Sequence, residues 1–284
     1  MKKLFIIFYI SVVFVACKKE TSEVVNSVPE KTILNVAYGD STEQKMDVYL
    51  PANRTETATK ILILIHGGSW ITGDKSDFSE YLPVFRQRLP DYVLVNINYR
   101  LGKLPDINAF PAQEEDVKGA VDFILSKSGE YIFNKEKLAV LGASAGGHLA
   151  LLQCYKNASP KVKALVDMFG PTDMVDLYNS LTEPIEIFGL EALMSGTPAT
   201  NPSLYQRSSP INFVSAQNPP TLIFHGGQDP LVPISESIAL KAKLQTAGVP
   251  VQMVTYPTEG HGWSGANLTD SYNRIQAFLT QYNP

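Results

Sequence analysis

The pentapeptide Gly142-Ala143-Ser144-Ala145-Gly146 constrains the fold of this 284-residue chain more than any other segment. A short apolar run, 138–141, precedes it, and a longer apolar run, 147–155, follows it. This pattern predicts a buried strand, a sharp turn and a helix. A serine at such a turn, called a nucleophile elbow, exposes its hydroxyl, and the flanking glycines permit the tight backbone. The helix that follows would point free N–H groups at a developing negative charge.

Apolar runs alternate with amphipathic segments from residue 61 to the C-terminus, which is typical of a parallel sheet with covering helices. The predicted strands are 61–65, 92–98, 138–141, 164–169, 221–225 and 251–255. The predicted helices are 78–88, 111–127, 147–155, 235–247 and 270–281. Two earlier segments, 33–38 and 45–50, alternate like antiparallel strands. The predicted class is α/β, with a doubly wound, mostly parallel central sheet in one domain, 31–284.

Residues 172–218 interrupt this alternation. They contain one predicted apolar helix, near 185–194, and four prolines: Pro184, Pro198, Pro202 and Pro210. We therefore expect a short cap insertion at about 172–218 that covers the site.

The first sixteen residues resemble an export signal. Lys2 and Lys3 precede an apolar run, 4–15, that is too short for a confident membrane span. The run ends in small residues before Cys17, as in bacterial lipoproteins, although Phe14 departs from the usual leucine. We expect a lipoprotein signal peptide at 1–16, lipidation of Cys17, a tether at 17–30 and attachment to the bacterial cell envelope, in the outer membrane. The alternative is a secretory signal cleaved near Ala16.

Charge and cysteine content exclude some partners. Loss of residues 1–16, which hold two lysines and no acidic residue, takes the formal charge from −4 to −6. An acidic surface argues against binding to nucleic acid. With Cys17 lipidated, Cys154 has no disulfide partner, so we expect a buried thiol there. The sequence leaves the oligomeric state open.

The segment His66-Gly67-Gly68-Ser69-Trp70 directly follows the predicted strand 61–65. Acyl transfer turns a carbonyl oxygen into an oxyanion, which backbone N–H groups stabilise. We expect Gly68 to be the main donor from this loop, with Ser69 as an alternative and Ala145 as the donor after the nucleophile. His66 is interpreted as structural, and an ordinary glycine turn is the alternative for the whole loop.

Three further histidines are candidates for the base that a serine nucleophile requires. His148 lies in the helix after the elbow and His225 ends a strand, so both are interpreted as structural, with His225 bracing the next loop. His261, between two glycines, is the predicted base. Asp229 is the predicted acid that orients it. Asp173 and Glu259 are rival acids.

Trp70 and Trp263 are candidate substrate-binding residues at the rim of the site, because their rings could stack on a sugar or an aryl group. Ordinary loop packing is the alternative for both. The histidines lack the spacing of metal ligands, and the chain has neither G-x-G-x-x-G nor a phosphate loop with lysine. We therefore expect neither a metal nor a cofactor.

From about residue 33 to 284 the chain resembles the α/β-hydrolase superfamily. The catalytic residues of that superfamily follow one another in the order serine, acid, histidine, which is the order of Ser144, Asp229 and His261 here. The motifs resemble bacterial feruloyl and acetyl-xylan esterases: HGGSW (66–70), Gly73-Asp74-Lys75, Asn98-Tyr99-Arg100 and GASAGGH (142–148). Hormone-sensitive-lipase-like carboxylesterases are also similar but carry a third glycine where this chain has Ser69. HGGxW also occurs in kynurenine formamidases.

This resemblance implies a serine carboxylesterase that removes short or aromatic acyl groups, through an acyl-enzyme, from plant polysaccharide fragments. The alternatives are a kynurenine formamidase-like amidase or a lipase. A third alternative, from another class, is a surface glycan-binding lipoprotein with an inactive hydrolase fold. An intact Ser144, Asp229 and His261 argues against it, because a binding module does not require all three.

Overall fold

The computed structural model describes Met1 and residues 28–103, 105–157 and 159–284. The predicted signal peptide, the lipidation site Cys17 and most of the predicted tether lie outside the described residues and stay predictions. No described helix combines the length and the apolar character that crossing a membrane requires.

The described chain forms one sheet of eight strands in the order β1-β2-β4-β3-β5-β6-β7-β8. The strands are β1 (Lys31–Ala37), β2 (Lys45–Leu50), β3 (Lys60–Ile65), β4 (Tyr92–Ile97), β5 (Leu138–Ala143), β6 (Ala164–Met168), β7 (Thr221–Gly226) and β8 (Val251–Tyr256). Strands β3 to β8 run parallel, and β1 and β2 are antiparallel. The predicted α/β class and doubly wound sheet are confirmed.

Helices cover both faces of this sheet. They are α1 (Leu82–Arg88), α2 (Ala112–Ser126), α3 (Ser128–Tyr131), α4 (Ala145–Tyr155), α5 (Met174–Ser180), α6 (Pro184–Leu193), α7 (Pro202–Arg207), α8 (Ile234–Thr246) and α9 (Gly265–Tyr282). Short 3₁₀ turns lie at Lys75–Phe78 and Pro210–Phe213. The helix expected at 78–88 is divided between the first of these turns and α1, because Pro83 lacks an N–H and fits only the first turn of a helix.

Side chains of β3 alternate between two hydrophobic clusters. Ile61 and Ile63 belong to the cluster that contains α2 and α4, whereas Leu62 and Leu64 belong to the cluster that contains α1 and α9. All four are fully buried. A strand that is buried on both faces has apolar side chains at successive positions, and this is why β3 does not alternate between apolar and polar residues.

The expected cap segment, 172–218, contains three helices instead of the one predicted. Helix α6 is the predicted one. Helix α5 is added because the Asp173 carboxylate accepts the N–H groups of Val175 and Asp176, at 2.9 and 3.4 Å, and so caps the helix. Helix α7 is added with Pro202 in its first turn.

The register brings four loops to one edge of the sheet. Ile65 at the end of β3 is paired with Gly142 near the end of β5. Gly226 at the end of β7 is paired with Tyr256 at the end of β8. The loops that follow these parallel strands all leave the sheet at its carboxyl edge, where open α/β sheets bind ligands.

Candidate active site

The elbow after β5 holds Ser144 in a left-handed conformation, with φ 55° and ψ −122°. The turn requires glycine on both sides. A Cβ atom at Gly142 would lie 2.0 Å from the carbonyl oxygen of Gly146, and one at Gly146 would lie 2.1 Å from that of Ile65. The main chain of Ser144 is also fixed by a 2.8 Å hydrogen bond from its N–H to the Met168 carbonyl. The packing therefore fixes the serine through its backbone.

Ser144, His261 and Asp229 form one hydrogen-bonded chain. His261 Nε2 lies 2.8 Å from Ser144 Oγ, and His261 Nδ1 lies 2.7 Å from Asp229 Oδ2. The ionised carboxylate only accepts hydrogen bonds, so Nδ1 carries the proton and Nε2 is free to take one from serine. The structure thus brings the three predicted residues together with the geometry that general-base activation of a hydroxyl requires.

The Asp229 side chain is fully buried, and its carboxylate accepts several hydrogen bonds. Its Oδ1 accepts the N–H groups of Leu231 and Val232 at 2.9 and 3.0 Å. Burial by itself would raise the pKa of Asp229, but hydrogen bonds from His225, His261 and the Val232 N–H hold that pKa well below its usual range. The carboxylate therefore stays ionised beside His261 at neutral pH.

His225 braces this acid loop, as the sequence indicates. Its Nε2 lies 2.9 Å from the Val232 carbonyl and 3.4 Å from Asp229 Oδ2, and both of these oxygens only accept. Its Nδ1 lies 2.7 Å from Ser237 Oγ. The ring is fully buried, so it holds the loop rather than reacting.

The rival acids have other partners. Asp173 caps α5. Glu259 Oε1 accepts a 2.6 Å hydrogen bond from Asn267 Nδ2. In the described part of the chain, Asp229 is the carboxylate that contacts His261.

The loop after β3 has three successive left-handed residues: Gly68 at φ 102°, Ser69 at 51° and Trp70 at 61°. For non-glycine residues this conformation costs on the order of 1–3 kcal/mol each. Ser69 and Ala145 line the same cavity as Ser144, and their N–H groups have no acceptor among the described residues. Gly68 does not line that cavity. The geometry thus favours Ser69 and Ala145 as oxyanion donors, and the role of Gly68 stays a prediction.

Trp70 and His148 hold the strained loop in place. Trp70 is 5% exposed, and its Nε1 donates to His148 Nδ1 at 3.2 Å. His148 Nε2 in turn donates to the Ser208 carbonyl at 2.6 Å, which fixes the neutral tautomer. Burial lowers the pKa of His148 to about 4, so the ring stays neutral above that pH. Trp70 therefore lines the cavity from the core and not from the rim, contrary to the expectation.

A second brace comes from residues to which the sequence assigned no role. The Tyr99 ring stacks on His66, with centroids 4.4 Å apart, and its hydroxyl donates to the carbonyls of His66 and Gly67, each at 3.1 Å. Asn98 Nδ2 donates to Asp74 Oδ2 at 2.7 Å. The motifs containing Asn98, Tyr99 and Asp74 were thus visible in the sequence, but their function as supports of the oxyanion loop was not.

Two cavities meet at His261. The first, of about 250 Å³, contains Ser144 and has a largely aliphatic wall made by Leu177, Leu181, Ile185, Leu190, Leu193, Leu231 and Val232. The second, of about 260 Å³, does not include Ser144 and has an aromatic wall made by Phe78, Tyr81, Phe85, Phe169, Trp263 and Tyr272. Trp263 lies in this second cavity, and its Nε1 donates to Ser271 Oγ at 2.8 Å. Its role in substrate binding stays a prediction.

Comparison with known proteins gives the family. The model of a family described as BD-FAE matches residues 46–244, which is more than half of the chain. The chain belongs to the BD-FAE family. This membership confirms the expected resemblance to the α/β-hydrolase superfamily.

Curated and solved relatives of this BD-FAE chain carry esterase names. Esterase LipC of Mycobacterium tuberculosis is 25% identical over 87% of this chain and 64% of its own length. The probable carboxylic ester hydrolase LipM of the same organism is 28% identical over 87% of this chain and 60% of its own length. This chain thus spans less than two thirds of either protein. A solved structure titled a truncated carbohydrate esterase from gut microbiota is 26% identical, with a TM-score of 0.77, over 89% of this chain and 96% of that one.

Proposed function

We propose that this protein is a serine carboxylesterase that acts through an acyl-enzyme. One observation carries the proposal: the hydrogen-bonded chain of Ser144, His261 and Asp229 opens into a cavity that is also lined by Ser69 and Ala145, whose N–H groups have no acceptor among the described residues. Nucleophile, base, orienting acid and oxyanion donors are the complete set that acyl transfer requires.

The proposed reaction has two stages, acylation of Ser144 and hydrolysis of the acyl-serine. His261 Nε2 takes the hydroxyl proton as Ser144 Oγ bonds to the ester carbonyl carbon, and the carbonyl oxygen becomes an oxyanion facing Ser69 and Ala145. The C–O bond to the alcohol breaks as His261 returns that proton to the departing oxygen. A water molecule then repeats the sequence on the acyl-serine, which releases the acid and restores Ser144. Asp229 stabilises the protonated His261 ring both when the acyl-enzyme forms and when it is hydrolysed.

The proposed substrates are short or aromatic acyl esters on plant polysaccharide fragments. The catalytic cavity, of about 250 Å³, is smaller than most drug-sized ligand sites, and its aliphatic wall suits a small acyl group. The solved relative with a TM-score of 0.77 is titled a carbohydrate esterase, which supports a sugar as the alcohol.

A panel of substrates tests this proposal. We would compare kcat/KM of wild type and Ser144→Ala on nitrophenyl acetate, butyrate and decanoate, acetylated xylo-oligosaccharide, methyl ferulate and N-formylkynurenine. The proposal requires acetyl or feruloyl esters to be the best substrates. The highest value on decanoate would indicate a lipase, and the highest value on N-formylkynurenine would indicate an amidase. Glycan binding with no turnover of any ester would indicate an inactive binding protein.

We also propose that the protein is exported and anchored to the bacterial envelope through a lipid on Cys17. The basic start, the apolar run at 4–15 and the small residues before Cys17 support it. Mass spectrometry of the N-terminal peptide of membrane-extracted protein should show a lipidated cysteine. An unmodified N-terminus that begins at another residue would reject the anchor.

A further inference from the structure

Glu186 is a carboxylate in the largely apolar wall of the catalytic cavity. It lies in the first turn of α6, is half-buried, and lines the cavity together with Ser144 and His261. Among the described residues, none donates a hydrogen bond to its carboxylate or forms an ion pair with it, and its N–H donates to the Glu183 carbonyl at 3.0 Å. Glu191, on the same helix, differs because it accepts a 2.6 Å hydrogen bond from the Tyr178 hydroxyl. The Glu186 carboxylate is thus free to interact with whatever enters the cavity.

The exposed residues that line this cavity mark its mouth, and one of them, Ile185, precedes Glu186 in the chain. Ile185 is 72% exposed, Leu231 44% and Ile71 38%, and all three line the cavity. Leu190 and Val232, at 5% and 4%, form its deeper wall. A cavity of this volume encloses a small acyl group but not a sugar chain, so the alcohol part of such an ester must leave through the mouth. In that arrangement Glu186 would meet the alcohol and not the acyl group.

A carboxylate beside apolar walls is screened less than one in open water, so its field and its hydrogen bonds count for more. It accepts hydrogen bonds from hydroxyl groups, attracts cations and repels other carboxylates. We propose that Glu186 is a specificity residue that selects the charge of the alcohol: it favours neutral hydroxyl-rich or cationic alcohols and excludes acidic ones such as uronic acids. This inference rests on the proposed esterase activity and deepens it.

Three thioacetates that differ mainly in the charge of the thiol part test the inference. Acetylthiocholine is the cation, 3,3-dimethylbutyl thioacetate its neutral analogue, and S-acetyl-3-mercaptopropionate the anion. The released thiol gives one readout for all three. We would measure kcat/KM for wild type, Glu186→Gln and Glu183→Gln. Glu183 is the matched control, because it lies just before α6, is exposed and does not line the cavity.

The wild type should prefer the cation to the anion, and Glu186→Gln should reduce that ratio by about tenfold, equivalent to about 1.4 kcal/mol. Glu183→Gln should leave the ratio within about twofold, and high salt should weaken the preference in wild type. A ratio that Glu186→Gln leaves unchanged, in an enzyme active on nitrophenyl acetate, overturns this inference alone. An inactive wild type on every ester overturns the proposed function, and with it this inference.

Discussion

The two halves of the candidate site are held in position by different means. Ser144 and the oxyanion donors are positioned by the main chain, through left-handed residues and glycines that admit no Cβ. Asp229 and His261 are positioned by hydrogen bonds of the Asp229 carboxylate, which accepts the backbone N–H groups of Leu231 and Val232 and contacts His261 Nδ1. We call these the backbone-held half and the hydrogen-bond-held half.

This difference predicts which kind of substitution disturbs each half. Within the backbone-held half, the elbow should tolerate loss of the Ser144 hydroxyl without moving, because its shape depends on φ and ψ values that the packing enforces. The oxyanion loop depends in addition on the contact between Trp70 and His148. The hydrogen-bond-held half should lose its catalytic function when one hydrogen-bond acceptor is replaced by a donor, because the alignment of His261 depends on which ring nitrogen carries the proton. The predictions below test this difference, beginning with the largest effect.

Ser144→Ala should lower kcat on the order of a million-fold, because the nucleophile is lost. The free energy of unfolding should change by less than about 0.5 kcal/mol, because the elbow is formed by the backbone. Ester kinetics and chemical denaturation measure the two effects on one preparation. A large loss of stability would show that the hydroxyl itself supports the elbow and would remove the distinction between the halves.

Asp229→Asn should lower kcat on the order of ten-thousand-fold, because an amide can present an N–H to His261 and stabilise the wrong tautomer. KM should change little, because Asp229 does not line the catalytic cavity. Asp173→Asn is the matched control and should keep near wild-type kcat, since Asp173 caps α5. If Asp173→Asn does the greater damage, the acid has been misassigned.

Trp70→Phe should lower kcat by about 10- to 100-fold with little change in KM, because the oxyanion loop loses its hydrogen bond to His148 and its donors shift. Tyr155→Phe removes another buried hydrogen bond on α4, the 2.8 Å contact with Thr221 Oγ, away from the loop. It should lower stability by about 1 kcal/mol and leave kcat unchanged. Equal kcat losses in both variants would mean that the Trp70 contact stabilises the fold without positioning the loop.

Asp167 lies where the two halves meet. Its Oδ1 accepts the Gly170 N–H at 3.1 Å, and a Cβ atom on Gly147 of α4 would come within 2.5 Å of it. Burial raises the pKa of Asp167 to about 7, a rise that the nearby His225 partly offsets. Because this folded-state pKa lies above the unfolded value of about 3.9, the contribution of Asp167 to stability falls as pH rises from about 4 to about 7.

Asp167→Asn should therefore gain about 1–3 kcal/mol in stability relative to wild type when pH rises from 5 to 8. Denaturation midpoints at the two pH values measure this, with the exposed Asp122→Asn as control. A gain at pH 5 that equals the gain at pH 8 would show that packing, and not ionisation, is responsible.

The sequence predicts most of the sheet because each strand carries its own signal. KMDVYL predicts β2 with its observed bounds, and the apolar run ILILI predicts β3 to within one residue. Helix α5 is missed because its beginning depends on a capping contact of Asp173, which no periodicity reports.

In the candidate site, too, some features could be predicted from the sequence and others could not. Ser144, Asp229 and His261 are predicted because each follows a predicted strand, and the carboxyl ends of parallel strands share one edge. The inward direction of Trp70 could not be predicted, because it follows from left-handed φ values at Ser69 and Trp70 that residue type does not favour. The pairing of Trp70 with His148 likewise joins residues 78 positions apart.

The antiparallel start of the sheet determines the edge at which the chain enters the domain. Met46 at the start of β2 pairs with Ile97 at the carboxyl edge of β4, so Leu50, and with it Lys31 at the start of β1, lies at the opposite edge. The chain thus enters the domain on the side remote from Ser144. If Cys17 is anchored as proposed, the fourteen residues from there to Lys31 limit the distance between the anchor and the start of β1 to at most about 50 Å. An anchor there would join the domain on the side opposite the cavity that contains Ser144, so that the attachment point would not cover the entrance to the catalytic site.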